Sequence, residues 1–259
     1  MSGNGYLAGV LLEVDGLKKQ YGGVRAVDGV SFTVDRGTIT GLIGPNGAGK
    51  STALAVIAGY VSPTGGTVRF DGADITDMAM HERARRGLVR TFQMARVFGN
   101  LTTIENLLVA APGQRGERLG GVVGGRRFWR NQERELVEEA HVMLDVFGMG
   151  AKADEPARNL SGGQKRAVEI MRALMMKPTL LLLDEPMAGL SPSLSRQLED
   201  VLLRLAEEGL SLLLVEHELE TVERLCGNVV VMAQGKVLSQ GRMAELRLSR
   251  EVQDAYVIG

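Results

Sequence analysis

The sequence predicts an α/β fold in which helices cover a mostly parallel core sheet, with an antiparallel β subdomain beside it and a helical subdomain inserted into it. Three observations point that way. Leu180–Leu183 and Leu212–Val215 are continuous apolar runs, the pattern of strands buried on both faces. Thr38–Ile43, a strand-like run, passes through a glycine-rich turn into the helix-like Lys50–Ala58. Leu11–Val14, Val30–Val34 and Thr67–Phe70 show more alternation and are separated by Gly and Asp turns, as in an antiparallel sheet.

In chain order, Gly59 supplies a stop for the helix that follows the glycine-rich turn. From Leu101 to Met176 the pattern changes, and Leu101–Ala111, Arg134–Phe147 and Gly162–Met176 all have helical spacing. The expected division is a core with its antiparallel subdomain over residues 1–92 and 177–241, a helical subdomain over 93–176, and a tail of one or two amphipathic helices over 242–259. Within the helical part, Pro112–Arg130 is glycine-rich and sets Arg115, Arg118, Arg126, Arg127 and Arg130 against Glu117 alone. A solvated surface loop accounts for it, and so does a contact for an acidic or membrane-proximal partner. No internal repeat is visible.

Composition narrows the class. With 30 basic and 31 acidic side chains the formal net charge is −1, without the basic excess a nucleic-acid binder needs to neutralise phosphates. Cys226 is the single cysteine, so no internal disulfide forms and nothing calls for an oxidising compartment. Met1–Tyr6 has no basic segment leading into an apolar run. No apolar stretch approaches the roughly 18 residues that cross a bilayer. The expectation is an intracellular protein whose membrane role, if it has one, comes through a partner.

Gly44-Pro-Asn46-Gly47-Ala48-Gly49-Lys50-Ser51-Thr52 contains the phosphate-loop pattern in the required place between strand and helix. Glycines let successive backbone N–H groups turn inward toward phosphate oxygens, and the helix start adds its positive dipole end. Lys50 would reach the β- and γ-phosphates of a nucleotide, and the Ser51 hydroxyl would take a position on Mg²⁺. The apolar run Leu180–Leu183 ends in Asp184 and Glu185, delivering two carboxylates to the carboxyl edge of the sheet. Asp184 is the expected Mg²⁺ partner, and Glu185 the group that orients or deprotonates a water. Many nucleotide hydrolases share these two motifs, so they leave the function open.

Further motifs close it. Leu160-Ser161-Gly162-Gly163-Gln164 resembles the signature motif of ATP-binding-cassette ATPases. Gln93 in Thr91-Phe92-Gln93 is similar to that family's Q-loop, His217 to its switch histidine, and Tyr21 to the aromatic that stacks on adenine. The resemblance implies a phosphate-loop cassette with a RecA-like core and a helical signature subdomain. It implies ATP and Mg²⁺, with Ser51, Gln93 and Asp184 at the metal and Glu185, His217, Gln93 and Lys50 as catalytic groups. It also implies a head-to-tail dimer of cassettes. Each ATP would be held by Tyr21, Asn46–Thr52, Gln93 and Asp184 of one subunit and by Ser161–Gln164 of the other. One departure stands out: where the family commonly has Ser-Ala-Leu-Asp in the loop that crosses the dimer, this chain has Ala188-Gly189-Leu190-Ser191.

Arg90-Thr-Phe-Gln93, Arg96–Thr102, Glu105-Asn106, Glu185–Pro192, Val215-Glu-His-Glu218 and Glu251–Tyr256 are similar to ATP-binding subunits of branched-chain amino acid importers. Importers of urea and short amides share these features, and lipid-export cassettes are more distant. This resemblance implies a cytoplasmic subunit held at the inner face of the membrane by two permease subunits. A second cassette, identical or paralogous, and an extracytoplasmic solute-binding protein complete the assembly. Soluble cassettes acting on ribosomes or DNA are the other class, and the balanced charge and absence of long heptad runs argue against them.

Overall fold

The computed structural model describes residues 9–91, 97–111 and 126–258, with side chains for all of these but 126–132 and 257–258. β1 (Val10–Tyr21) and β2 (Val24–Asp35) open the chain, and β3 (Ile39–Ile43) leads into α1 (Lys50–Ile57). β4 (Gly65–Phe70), β5 (Ala73–Asp74), α2 (Met80–Arg85) and β6 (Leu88–Arg90) follow. Then come α3 (Thr103–Ala110), α4 (Arg126–Val146) and α5 (Gly162–Met175). β7 (Leu180–Asp184), α6 (Pro192–Glu207), β8 (Ser211–Val215) and α7 (Leu219–Leu225) return to alternating elements. A hairpin, β9 (Asn228–Ala233) and β10 (Lys236–Gly241), precedes α8 (Met243–Leu246) and α9 (Arg250–Ile258).

The chain divides into two compact units. The first comprises Met1–Gln93, Pro178–Ala188 and Leu202–Gly259. Its six-stranded sheet has the order β10-β9-β3-β8-β7-β6, parallel except for the edge strand β10. Leu180–Leu183 and Leu212–Val215 are fully buried in it, which is why their sequences are apolar without alternation. A second sheet, β2-β1-β4-β5, is antiparallel throughout. Its inward residues Leu12, Leu17, Val30, Val34 and Val68 share one core with Leu54 and Ile57 of α1. The expected α/β fold, parallel core and antiparallel companion, is the fold observed.

Arg83 of α2 fixes the far end of α1. Its guanidinium, fully buried, donates to the carbonyls of Val56, Ile57, Met78 and Thr76 at 2.7–2.9 Å. A cation at the C-terminal end of α1 complements that helix's dipole and satisfies carbonyls the helix leaves open. Four carbonyl partners offset the desolvation of a buried charge.

The second unit comprises Met94–Lys177 and Gly189–Val201. Thr102 and Glu105 start α3 with reciprocal bonds, Thr102 Oγ1 accepting from the Glu105 amide at 3.2 Å and Glu105 Oε2 from the Thr102 amide at 2.8 Å. The buried Asn106 side chain ties the preceding loop, accepting from the Phe98 amide at 2.8 Å and donating to the Phe98 carbonyl at 3.0 Å. α4 begins at Arg126, earlier than the periodic stretch from Arg134. Its first turns are rich in charge (Arg126, Arg127, Arg130, Glu133), so apolar spacing is not visible there. Ser191 has a local role too: its Oγ accepts from the Leu194 amide at 3.4 Å, capping α6 just ahead of Pro192.

Candidate nucleotide site

Four neighbouring parallel strands, β3, β8, β7 and β6, end on the same edge of the sheet. Their carboxyl ends deliver the residues that sequence motifs single out. Beyond β3 the chain turns through Gly44–Gly49, beyond β7 stand Asp184 and Glu185, and beyond β8 comes His217; β6 ends at Arg90. Ligands in open parallel sheets bind at this edge because the loops there diverge.

The loop after β3 is shaped for an anion. Gly49, at the N-cap of α1, has φ +97°, and no side chain caps the helix. The first turn of α1 carries no acidic residue. Its N–H groups are thus left for an external acceptor. Lys50, only 5% exposed, folds its ammonium onto its own loop and donates to the carbonyls of Gly44 at 2.7 Å and Pro45 at 3.0 Å. Burial lowers its pKa, while Glu185 and Asp184 oppose that shift. Asn46–Thr52, Glu185 and His217 together line a cleft of about 510 Å³ with Val24, Arg25 and Ala26.

The two carboxylates differ in setting. Asp184 is 1% exposed, and one of its oxygens lies 3.4 Å from the Ser51 hydroxyl. The other accepts from Arg90 Nη2 at 3.0 Å. Glu185 has φ +49°, a left-handed conformation uncommon outside glycine. Its amide donates to the Val215 carbonyl at 2.9 Å, and its carbonyl accepts from the Ala188 amide at 3.2 Å. The Glu185 carboxylate faces His217, with Oε1 and Nε2 2.7 Å apart.

Other expected residues are placed as follows. Tyr21 ends β1 at 49% exposure, with Lys19 Nζ 5.0 Å from its ring centroid, and it is outside the cleft lining. Gln93 lies outside the described residues, as do Pro112–Gly125 of the basic insert. Ser161, Gly162, Gly163 and Gln164 belong to the second unit. There the Ser161 hydroxyl accepts from the Gln164 amide at 3.2 Å, and Gln164 Oε1 accepts from the Ser161 amide at 3.0 Å. α5 thus starts with a capping box and no acidic residue in its first turn.

Motif reading missed three groups. Glu216, buried between β8 and His217, accepts from the Met187 amide at 3.0 Å and the His217 amide at 3.2 Å. One carboxylate thereby staples the turn after Glu185 to the turn at His217. The glutamate beside His217 in Val215-Glu-His-Glu218 was the available signal. Arg90 was visible only as the first residue of Arg90-Thr-Phe-Gln93, with no role attached to it. Tyr256 in α9 buries its hydroxyl without a hydrogen-bond partner among the described residues, and burial pushes the phenol up to about 12.

Burial also pushes the Glu216 carboxyl above its ordinary 4.5, with the two amides pulling the other way. The folded chain therefore keeps a proton that the unfolded chain has already released, and stability falls as pH climbs from the ordinary value through the raised one. Glu216→Gln cannot titrate and should lose that slope. Urea denaturation at several pH values across this interval checks it; the same slope in both proteins would exclude Glu216 as its source.

The ABC transporter family model matches residues 27–188, through the phosphate loop, the signature segment and the paired carboxylates. The chain belongs to the ABC transporter family. It is a cassette ATPase that binds nucleotide. The high-affinity branched-chain amino acid transport ATP-binding protein BraF of Pseudomonas aeruginosa is 39% identical, over 95% of this chain and 97% of its own. The probable branched-chain amino acid transport ATP-binding protein LivG of Archaeoglobus fulgidus is 38% identical over 95% of each. Among solved structures, an ABC transporter cassette in its ADP conformation matches at TM-score 0.82 and 34% identity, over 96% of this chain and 99% of its own. A nucleotide-free cassette matches at TM-score 0.77 and 34% identity, over 95% of each.

Proposed function

We propose that this cassette is the ATP-hydrolysing subunit of an importer for branched-chain amino acids. The likeness of the whole chain, not only its motifs, to relatives described in those terms supports the substrate class. For the chemistry, the observation that carries the reading is the Glu185–His217 contact of 2.7 Å on the wall of the phosphate-loop cleft.

In this reading Lys50 exchanges the Gly44 and Pro45 carbonyls for the β- and γ-phosphates of ATP, and the amides of Asn46–Thr52 hold the remaining oxygens. Tyr21 supplies a face for adenine. Ser51 and Asp184 present two hard oxygen donors 3.4 Å apart, a set that suits Mg²⁺. Bound there with Gln93, Mg²⁺ would neutralise charge on the phosphates. Glu185 accepts the proton of the attacking water, and His217 holds the carboxylate in place and stabilises the charge left after transfer. Ser161–Gln164 of a second cassette close the site, so the working unit is a dimer, with Ser191 in the crossing loop hydrogen-bonding where the family has a carboxylate.

No described helix is long and apolar enough to cross a membrane. Two permease subunits would therefore supply the pathway, hold the cassette at the inner membrane face, and contact the solute delivered by a binding protein. Reconstitution of the chain with its permeases and binding protein in liposomes tests this. Leucine, isoleucine and valine should stimulate ATP hydrolysis, and urea or short amides should not. Stimulation by an amide alone would move the assignment to that related class.

A further inference from the structure

Arg90 is the last residue of β6, the edge strand beside β7. Its guanidinium meets Asp184 at 3.0 Å, with the two side chains 11% and 1% exposed. The carboxylate is shared: one oxygen faces Arg90 and the other faces Ser51 of the phosphate loop. Arg90 Nε is buried without a hydrogen bond among the described residues. The Thr91 amide donates to the Leu182 carbonyl at 3.0 Å, carrying the β6–β7 ladder one residue past the strand. The Thr91 hydroxyl is buried and likewise has no hydrogen bond among the described residues.

A buried carboxylate needs a positive partner. Arg90 supplies one in direct contact, and Lys50 lies close enough to feel the same charge. A divalent cation on the Ser51 side would supply it again from the other oxygen, and two cations on one buried carboxylate repel each other at low dielectric. We infer that Arg90 is a tethered counter-ion for Asp184: it holds the carboxylate while no divalent cation is present and loosens when one binds. Cation occupancy is then felt at the end of β6, three residues before Gln93. Arg90 is a positioning residue, acting through Asp184. The inference rests on Ser51 and Asp184 being the metal site.

The test uses Mn²⁺ as a paramagnetic probe of that site in the full-length, ADP-loaded chain, read by electron paramagnetic resonance titration. Arg90→Gln should lower the free Mn²⁺ needed for half-occupancy by about tenfold, within the usual range of site-to-site coupling. Arg90→Lys, which keeps the charge, should stay within about twofold of wild type. The nucleotide-free Arg90→Gln protein should also melt lower, so that its thermal shift on adding Mn²⁺ and ADP is larger than that of wild type. Unchanged or weaker Mn²⁺ binding in Arg90→Gln would overturn the inference while leaving the metal site intact. Asp184→Asn distinguishes the two: if it binds Mn²⁺ as wild type does, the metal site is elsewhere and the inference goes with it. Should Arg90→Gln not fold, hydrogen exchange on the wild type serves instead. Exchange of the Thr91 amide should quicken when Mn²⁺ replaces chelator in the ADP complex, and equal protection in both would refute the role.

Discussion

Glu185→Gln is expected to bind ATP as tightly as wild type, to hydrolyse it roughly a hundredfold to ten-thousandfold more slowly, and to accumulate as a dimer. Glutamine has the shape of glutamate and can still hydrogen-bond His217, which lies 2.7 Å from the carboxylate. The backbone that holds residue 185 at φ +49° is anchored by amide and carbonyl bonds to Val215 and Ala188, and the substitution leaves both in place. What disappears is the proton acceptor. Removing a charge that faces Lys50 and the incoming phosphates also relieves repulsion, so affinity does not fall. Single-turnover hydrolysis and gel filtration with ATP check both halves. Turnover near the wild-type rate would remove Glu185 from the role of base.

The second large effect belongs to the loop itself. Gly49→Ala would place a Cβ 2.2 Å from the Ala26 carbonyl oxygen, at a residue whose φ is +97°. Ala26 lies within β2, so the obstacle is strand backbone and cannot swing aside. Left-handed strain and overpacking act together, and the loss should be about 3 kcal/mol or more in urea denaturation, accompanied by loss of ATP binding. Gly47→Ala is the control. Its φ is +79°, but its Cβ meets nothing within 4 Å, so only the backbone strain of about 1–2 kcal/mol applies. Equal losses at the two positions would mean that the Ala26 contact does not decide the loop's shape.

Much of this was legible in the amino-acid sequence because it depends on local pattern. The strands β3, β7 and β8 are buried on both faces, so their residues must be apolar without a break. The phosphate loop needs glycines where its backbone is left-handed and a lysine at the helix start, and both requirements are short in sequence. Ser161 and Gln164 announce a helix start for the same reason. The first turns of α4 were illegible because charge, not apolar spacing, fills them. The role of Ser191 differed as well: the residue that looks like a departure in a crossing loop is, within its own unit, the cap of α6.

Arg90 and Glu216 mark the boundary between the two sources. Nothing within a few residues of either predicts its partner. Arg90 meets Asp184 because β6 pairs with β7, 94 positions away along the chain. Glu216 reaches Met187 because β8 pairs with β7, which sets the two following turns side by side. By itself the sequence determined the fold class and that the chain is a cassette, and it singled out the side chains expected at the phosphates. Only the tertiary structure decided what surrounds those side chains, because strand order brings distant residues together and local periodicity holds no record of it. At this site the strand order surrounds Asp184 with a cation and Glu185 with a histidine and a staple.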